Sequence, residues 1–176
     1  MTTVDSSDAA YRARAGVDRL IAEQVGASDP EAFETRPIFP GATSTERAPR
    51  PLSAVAAAVR VAGMAAGRAR ELAAKARGAG ATWSEVADAA GLQPDPNRSR
   101  AEAAFEWAAG PPPGGWSWSW ETSVGWDCRA CGRWVTDRGP YNPPPDDNES
   151  GHAADCPRHR AAVAAYEARR DDTDGM

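Results

Sequence analysis

In the first half of the chain, apolar positions recur at helical rather than alternating spacing. Val17, Leu20, Ile21 and Val25 share one face with arginines between them, and Gly26 follows, which predicts an amphipathic helix over residues 9–25. Ser28-Asp29-Pro30-Glu31 offers a capping side chain with proline in the first turn, predicting a short helix through Phe33. An extended, proline-punctuated link over residues 36–51 comes next, and its PIFPG stretch is expected to pack Ile38 and Phe39. Leu52, Val55, Val59 and Leu72 then form an apolar stripe on a long helix. Ser53 can cap it, Gly78 and Gly80 end it near Arg77, and its many alanines permit close packing.

Two further helices carry explicit start signals. Thr82 with Glu85, and again Ser99 with Glu102, have the spacing of a capping box, in which each side chain satisfies the other residue's free backbone N–H. The first box opens a helix of barely two turns closed by Gly91. The second opens a helix over residues 100–109, with Ala103, Phe105, Trp107 and Ala108 as its packing residues. Long helix, short helix and capped second helix follow the order of a helix-turn-helix. The passage LAAKARGAGATWSEVADAAGL resembles the first part of the helix-turn-helix seen in many proteins of high-GC Gram-positive bacteria. That resemblance covers about a quarter of the chain. It implies double-stranded DNA as partner, with the second helix in the major groove. Arg98, Ser99 and Arg100 at its N-terminus, with Arg68 and Arg77 on the long helix, are then the candidate contacts to phosphates or base edges. The linker LQPDPNR is longer than the family turn, and Glu102 and Glu106 on the candidate recognition helix would oppose phosphates.

After a proline–glycine run the period changes to two. Trp116, Trp118 and Trp120 alternate with serines, placing three indoles on one face of a strand that is expected to cover a small core. WDCRACGRW follows, with Cys128 and Cys131 two residues apart and Gly132 behind them. That spacing suits a metal knuckle, in which a turn aims two thiolates at one point. GHAADCPRH supplies the rest: Cys156 is the third cysteine, and the chain's two histidines, His152 and His159, flank it. Cys128, Cys131, His152 and Cys156 make a Cys3His set at zinc-like spacing, with Zn2+ as the expected ion. His159 is the competitor for the nitrogen position. Short strands over residues 124–128 and 133–136 should flank the knuckle, Trp126 and Trp134 should keep it dry, and Pro157 should start a helix towards Arg170. Asp137, Asp146, Asp147 and Glu149 in the connecting loop read as solvated acids.

Charge and composition narrow the picture further. Residues 1–49 carry five Arg against eight acids, residues 50–110 eight basic against six acidic, and residues 111–176 seven against eleven, so only the middle is basic. Three cysteines with a tight pair, no signal-like start and no run of about eighteen uncharged apolar residues point to a cytoplasmic protein with no membrane partner. The expected fold class is α+β: a mainly helical N-terminal two-thirds with a small zinc-ribbon or treble-clef-like hairpin-plus-helix module. The expected divisions are an N-terminal helix and arm (1–49), a helix-turn-helix-like domain (50–110), a zinc-binding module (114–170) and a disordered tail (171–176). A nucleotide-binding glycine loop and a Ser-His-Asp set are both missing, and four protein ligands leave no place for an activated water, so no enzyme is expected. The functional expectation is a zinc-containing DNA-binding regulator. The alternative is an adaptor that meets a protein partner through the tryptophan-rich zinc module.

Overall fold

The computed structural model describes residues 6–110, 122–142 and 144–174. Its contacts divide into two compact units, Met1–Gly67 and Arg68–Met176. The boundary falls inside one long helix rather than near residues 49 or 110. Helix and small sheets are mixed, compatible with the α+β class.

In the first unit, helix α1 (Ser6–Ser28) runs through Gly26, the expected stop. A helical glycine costs only about 1 kcal/mol relative to alanine and does not end a helix by itself. The chain instead turns where Asp29 accepts a bond from the Glu31 N–H (3.0 Å) and the Ala32 N–H reaches the Asp29 carbonyl (3.1 Å). This Asx turn replaces the short helix expected there. Strand β1 (Phe33–Pro37) leaves the turn and pairs antiparallel with β2 (Thr45–Pro49), so the extended link is a hairpin. Four of the five β1 residues are exposed, and without alternation the pairing left no signal in the sequence. Ile38 and Phe39, expected to pack, lie exposed between the two strands. Val25, Ala32 and Ala57 are the buried centre of this unit, with Ile21 and Phe33 against them.

Helix α2 (Pro51–Ala79) starts with proline in its first position, and the Ala54 N–H bonds to the Arg50 carbonyl, so Ser53 sits inside the helix instead of capping it. Its expected apolar stripe faces outward. Leu52, Val55 and Val59 are 85%, 61% and 69% exposed, whereas Ala57 and Ala73 are buried. Small side chains let a helix approach its neighbours closely, so the alanine face became the packed one. Among the described residues α2 is the one helix long and apolar enough to cross a membrane, by length and composition alone.

The second unit begins in the last turns of α2. Helices α3 (Trp83–Ala89) and α4 (Arg100–Ala109) follow, both with complete capping boxes. At α3 the Glu85 N–H donates to Thr82 Oγ1 (3.1 Å) while the Thr82 N–H donates to the Glu85 carboxylate (2.7 Å). The Thr82 backbone N–H, and then its hydroxyl, hold the Glu85 carboxyl below the usual range. Ala104, Phe105 and Ala108 are the buried residues of α4, with Ala103 and Trp107 only half-buried.

Strands β3 (Val124–Asp127), β4 (Trp134–Asp137) and β5 (Glu149–Ser150) form an antiparallel sheet in that order. The single turn α5 (Pro145–Asn148) precedes β5, and α6 (Pro157–Asp174) closes the unit. No proline or glycine lies between Pro157 and Gly175, and α6 passes residue 170 and extends to Asp174, so the expected tail is helical up to that point. One hydrophobic core holds Ala73, Trp83, Val86 and Phe105 together with Val124, Trp126, Cys128, Val135 and Cys156. The helical pair and the cysteine hairpin therefore share an interior. The strand expected at Trp116, Trp118 and Trp120 lies outside the described residues.

Candidate metal centre

Three segments bring the candidate ligands together. The hairpin β3–β4 carries Cys128 and Cys131 at its tip. There the Cys128 N–H bonds to the Arg133 carbonyl (2.8 Å) and the Gly132 N–H to the Cys128 carbonyl (2.7 Å). Gly132 holds φ +69, a left-handed conformation that other residues adopt only under strain. The turn so formed lets the Arg133 backbone N–H meet the Cys131 sulfur, and the Ala153 N–H reaches it from the segment after β5. The Ala153 N–H does most to lower that thiol's pKa, which stands at about 6. Cys156 comes from the start of α6. Burial pushes its thiol up, and the backbone N–H groups of His159 and Arg158 offset part of the shift.

His152 enters from the segment after β5. Gly151, at φ +102, lies so close to β4 that a Cβ there would stand 2.5 Å from the Trp134 carbonyl oxygen. Any larger residue would displace the backbone that delivers the imidazole.

The four ligand atoms of Cys128, Cys131, His152 and Cys156 all lie within 4.8 Å of one another, close enough to hold a metal ion. Cys128 Sγ is 3.9 Å from Cys156 Sγ, and Cys131 Sγ is 3.9 Å from His152 Nδ1. A tetrahedral zinc with bonds of about 2.3 Å to sulfur separates its sulfurs by about 3.8 Å, so the spacing fits the ion. All three cysteines are free, and 3.9 Å is far beyond the roughly 2.05 Å of a disulfide.

His159 is placed differently. Its ring stacks on that of His152, with centroids 4.7 Å apart, and its Nε2 is 2.6 Å from Asp146. It stands outside the cluster of four and backs the ligand ring. Trp126, expected to keep the centre dry, packs edge-on to His152 at 5.6 Å from inside the core. Trp134, expected to share that role, is 61% exposed and lies over Gly125 on the outer face of the hairpin.

Behind the ligands lies an ionic chain that sequence reasoning missed. His152 Nε2 is 3.0 Å from one Glu149 oxygen, while the other faces the Arg77 guanidinium and, at 3.7 Å, Arg158. Arg77 also bonds Asp137 Oδ2 through Nε and Nη2 at 3.3 and 3.1 Å. The same oxygen accepts the Trp83 indole N–H at 3.0 Å, and Asp137 Oδ1 accepts the Gly139 N–H at 2.9 Å. Asp137 is 1% exposed, so one of the four loop acids read as solvated is a fully buried anion with every partner supplied by the protein. Glu149 also departs from that reading, since its side chain is only 15% exposed. Acids in a polar, proline-rich loop carry no pattern that marks them as buried, because burial here depends on an arginine sixty positions upstream.

Of the residues expected to meet nucleic acid, one is buried and the other arginines stand in exposed ion pairs. Arg77 is 8% exposed and committed to the buried anions, a correction to its expected place on an open face. Arg68 pairs with Glu71, Arg98 with Glu106 and Arg100 with Asp88. Ser99 spends its hydroxyl on the Glu102 N–H of its own capping box.

No family model, no curated protein and no solved structure matches this chain.

Proposed function

We propose that this protein binds one zinc ion through Cys128, Cys131, His152 and Cys156, and that the ion is structural. The carrying observation is the closed set of four mutually close ligand atoms, with two of the sulfurs belonging to the hydrophobic core. Three thiolates and an imidazole suit zinc among the common divalent ions. Four protein ligands leave no coordination position for a reacting water, which argues for a non-catalytic site. A knuckle at a hairpin tip with the last ligand at a helix start has the outline of a treble-clef or zinc-ribbon finger.

In this reading the zinc-held unit serves as a binding module for a protein partner. Supporting it are the arginines: one is buried, and the other three expected on a duplex are neutralised by Glu71, Glu106 and Asp88. Phosphate recognition gains from uncompensated cations, each releasing counterions from the duplex. A second reading, DNA binding through α4, draws support from the doubly capped α3–α4 pair, which follows the order of a helix-turn-helix.

Zinc content of the purified chain tests the metal. One equivalent is expected, lost in His152→Ala and kept in His159→Ala, and the reverse pattern would reassign the nitrogen ligand. Mobility shifts on mixed duplexes at low salt test the partner class. A complex whose affinity falls steeply with salt would replace the protein-partner reading with the DNA one.

A further inference from the structure

We infer that Glu149 is a positioning residue that aims His152 at the metal and, through Arg77 and Asp137, makes the seating of α3 depend on metal occupancy. This rests on the zinc reading of the Cys3His centre and adds a consequence for the helical pair.

Orientation of the ring is the first half. A carboxylate accepts hydrogen bonds, so the 3.0 Å contact from His152 Nε2 to Glu149 assigns the ring proton to Nε2 and leaves the Nδ1 lone pair directed at the thiolates. With its side chain only 3% exposed, His152 has no water to take over this role.

Transmission is the second half. The two oxygens of Glu149 do different work: one holds the imidazole, and the other holds Arg77. Arg77 passes the constraint to Asp137, and Asp137 grips the indole of Trp83, the first residue of α3. Arg158, on the turn of α6 that follows Cys156, joins the same Glu149 oxygen and donates to the Arg77 carbonyl. The Arg77 and Arg158 guanidiniums also lie over the Trp126 ring, at 5.6 and 4.3 Å from its centroid. A buried ion pair adds little net stability over apolar packing, but breaking one side of it is costly, so such a chain behaves as a specificity device. Losing the metal frees His152 and removes one anchor of Glu149, which loosens the hold on Arg77 and Asp137 at the Trp83 indole.

Zinc affinity by chelator competition, cobalt ligand-field spectra and amide hydrogen exchange on the full chain test both halves. In the parent protein, chelation should lower protection of the α3 amides about tenfold or more. Glu149→Ala should weaken zinc about 10- to 100-fold, the range for removing a carboxylate that orients a ligating histidine. Glu149→Gln separates the halves. Its amide oxygen still accepts from Nε2 but offers no charge to Arg77, so zinc affinity should stay within several-fold while α3 loses protection even with metal bound.

Phe105→Leu, a defect in the same core, should lower the melting temperature without moving the cobalt bands, which Glu149→Ala shifts. If Glu149→Ala fails to fold, Glu149→Gln carries the test. Parental affinity and cobalt spectrum in Glu149→Ala would overturn the positioning role. Unchanged α3 protection on chelation of the parent, or in zinc-loaded Glu149→Gln, would overturn the coupling. A parent chain that takes up no zinc would remove the zinc reading itself, a result distinct from either.

Discussion

Gly78→Ala and Gly67→Ala make the same change in the same helix, and the structure assigns them opposite signs. Both glycines lie within α2 at ordinary helical backbone angles. Helix propensity alone favours alanine by about 1 kcal/mol at each position. At Gly67 a Cβ would meet nothing within 4 Å, so that gain should be realised. At Gly78 a Cβ would be driven into the Asp127 carbonyl oxygen, with the Asp127 carbonyl carbon at 3.4 Å and the Trp126 ring at 3.7 Å. The obstacle is backbone, which cannot rotate away as a side chain can.

Relieving that collision must part α2 from β3, and it strains the 2.9 Å bond from the Arg129 N–H to the Gly78 carbonyl. Overpacking of this kind costs about 1–3 kcal/mol, and loss of a hydrogen bond about 1 kcal/mol more. Set against the propensity gain of about 1 kcal/mol, the net is a destabilisation of roughly 1–3 kcal/mol. For a unit of about 110 residues, about 1 kcal/mol moves the melting temperature by some 4 °C. Zinc-saturated thermal unfolding followed by circular dichroism should therefore place Gly78→Ala roughly 4–12 °C below the parent and Gly67→Ala slightly above it. A melting temperature for Gly78→Ala at or above the parent value would show that α2 does not press on the knuckle strand.

Three other outcomes follow from the same packing. Phe105 is fully buried, with edge contacts to Trp83 at 5.5 Å and Tyr141 at 5.6 Å. Phe105→Ala should cost about 3–5 kcal/mol in denaturant titration, and a loss under about 1 kcal/mol would refute its central place. Gly151→Ala should weaken zinc binding at least about tenfold, because φ +102 and the Trp134 carbonyl at 2.5 Å both reject a Cβ beside His152; unchanged affinity in a chelator competition would refute this. After chelation, Cys131 should alkylate at a pH below that of an ordinary thiol, since the backbone N–H groups of Ala153 and Arg133 lower its pKa. Cys156, raised by burial, should need more alkaline solution, and the reverse order of labelling would contradict the hydrogen bonds drawn to Cys131.

Local chemistry was legible wherever it was self-contained. Thr82–Glu85 and Ser99–Glu102 wrote the starts of α3 and α4 into four-residue windows, because a capping box needs nothing beyond its own turn. The cluster of candidate ligands was legible for a related reason. Cysteine and histidine are scarce in this chain, and both the knuckle turn and the helix start obey local geometry. Hairpin β1–β2 was illegible, since its mostly exposed strands show no alternation, and the choice of which α2 face to bury went to alanines that carry no strong signal.

By itself the sequence determined the capped helices, the cysteine hairpin and the four candidate ligands, all set by short-range turns, caps and residue chemistry. Only the tertiary structure decided that Asp137 and Glu149 turn inward to Arg77, that Arg77 lies inside, and that the helical pair shares its core with the cysteine centre. The physical reason is distance along the chain. A charge is buried or solvated according to the partner it meets, and for Arg77 those partners stand 60 and 72 residues away, where no local pattern reaches.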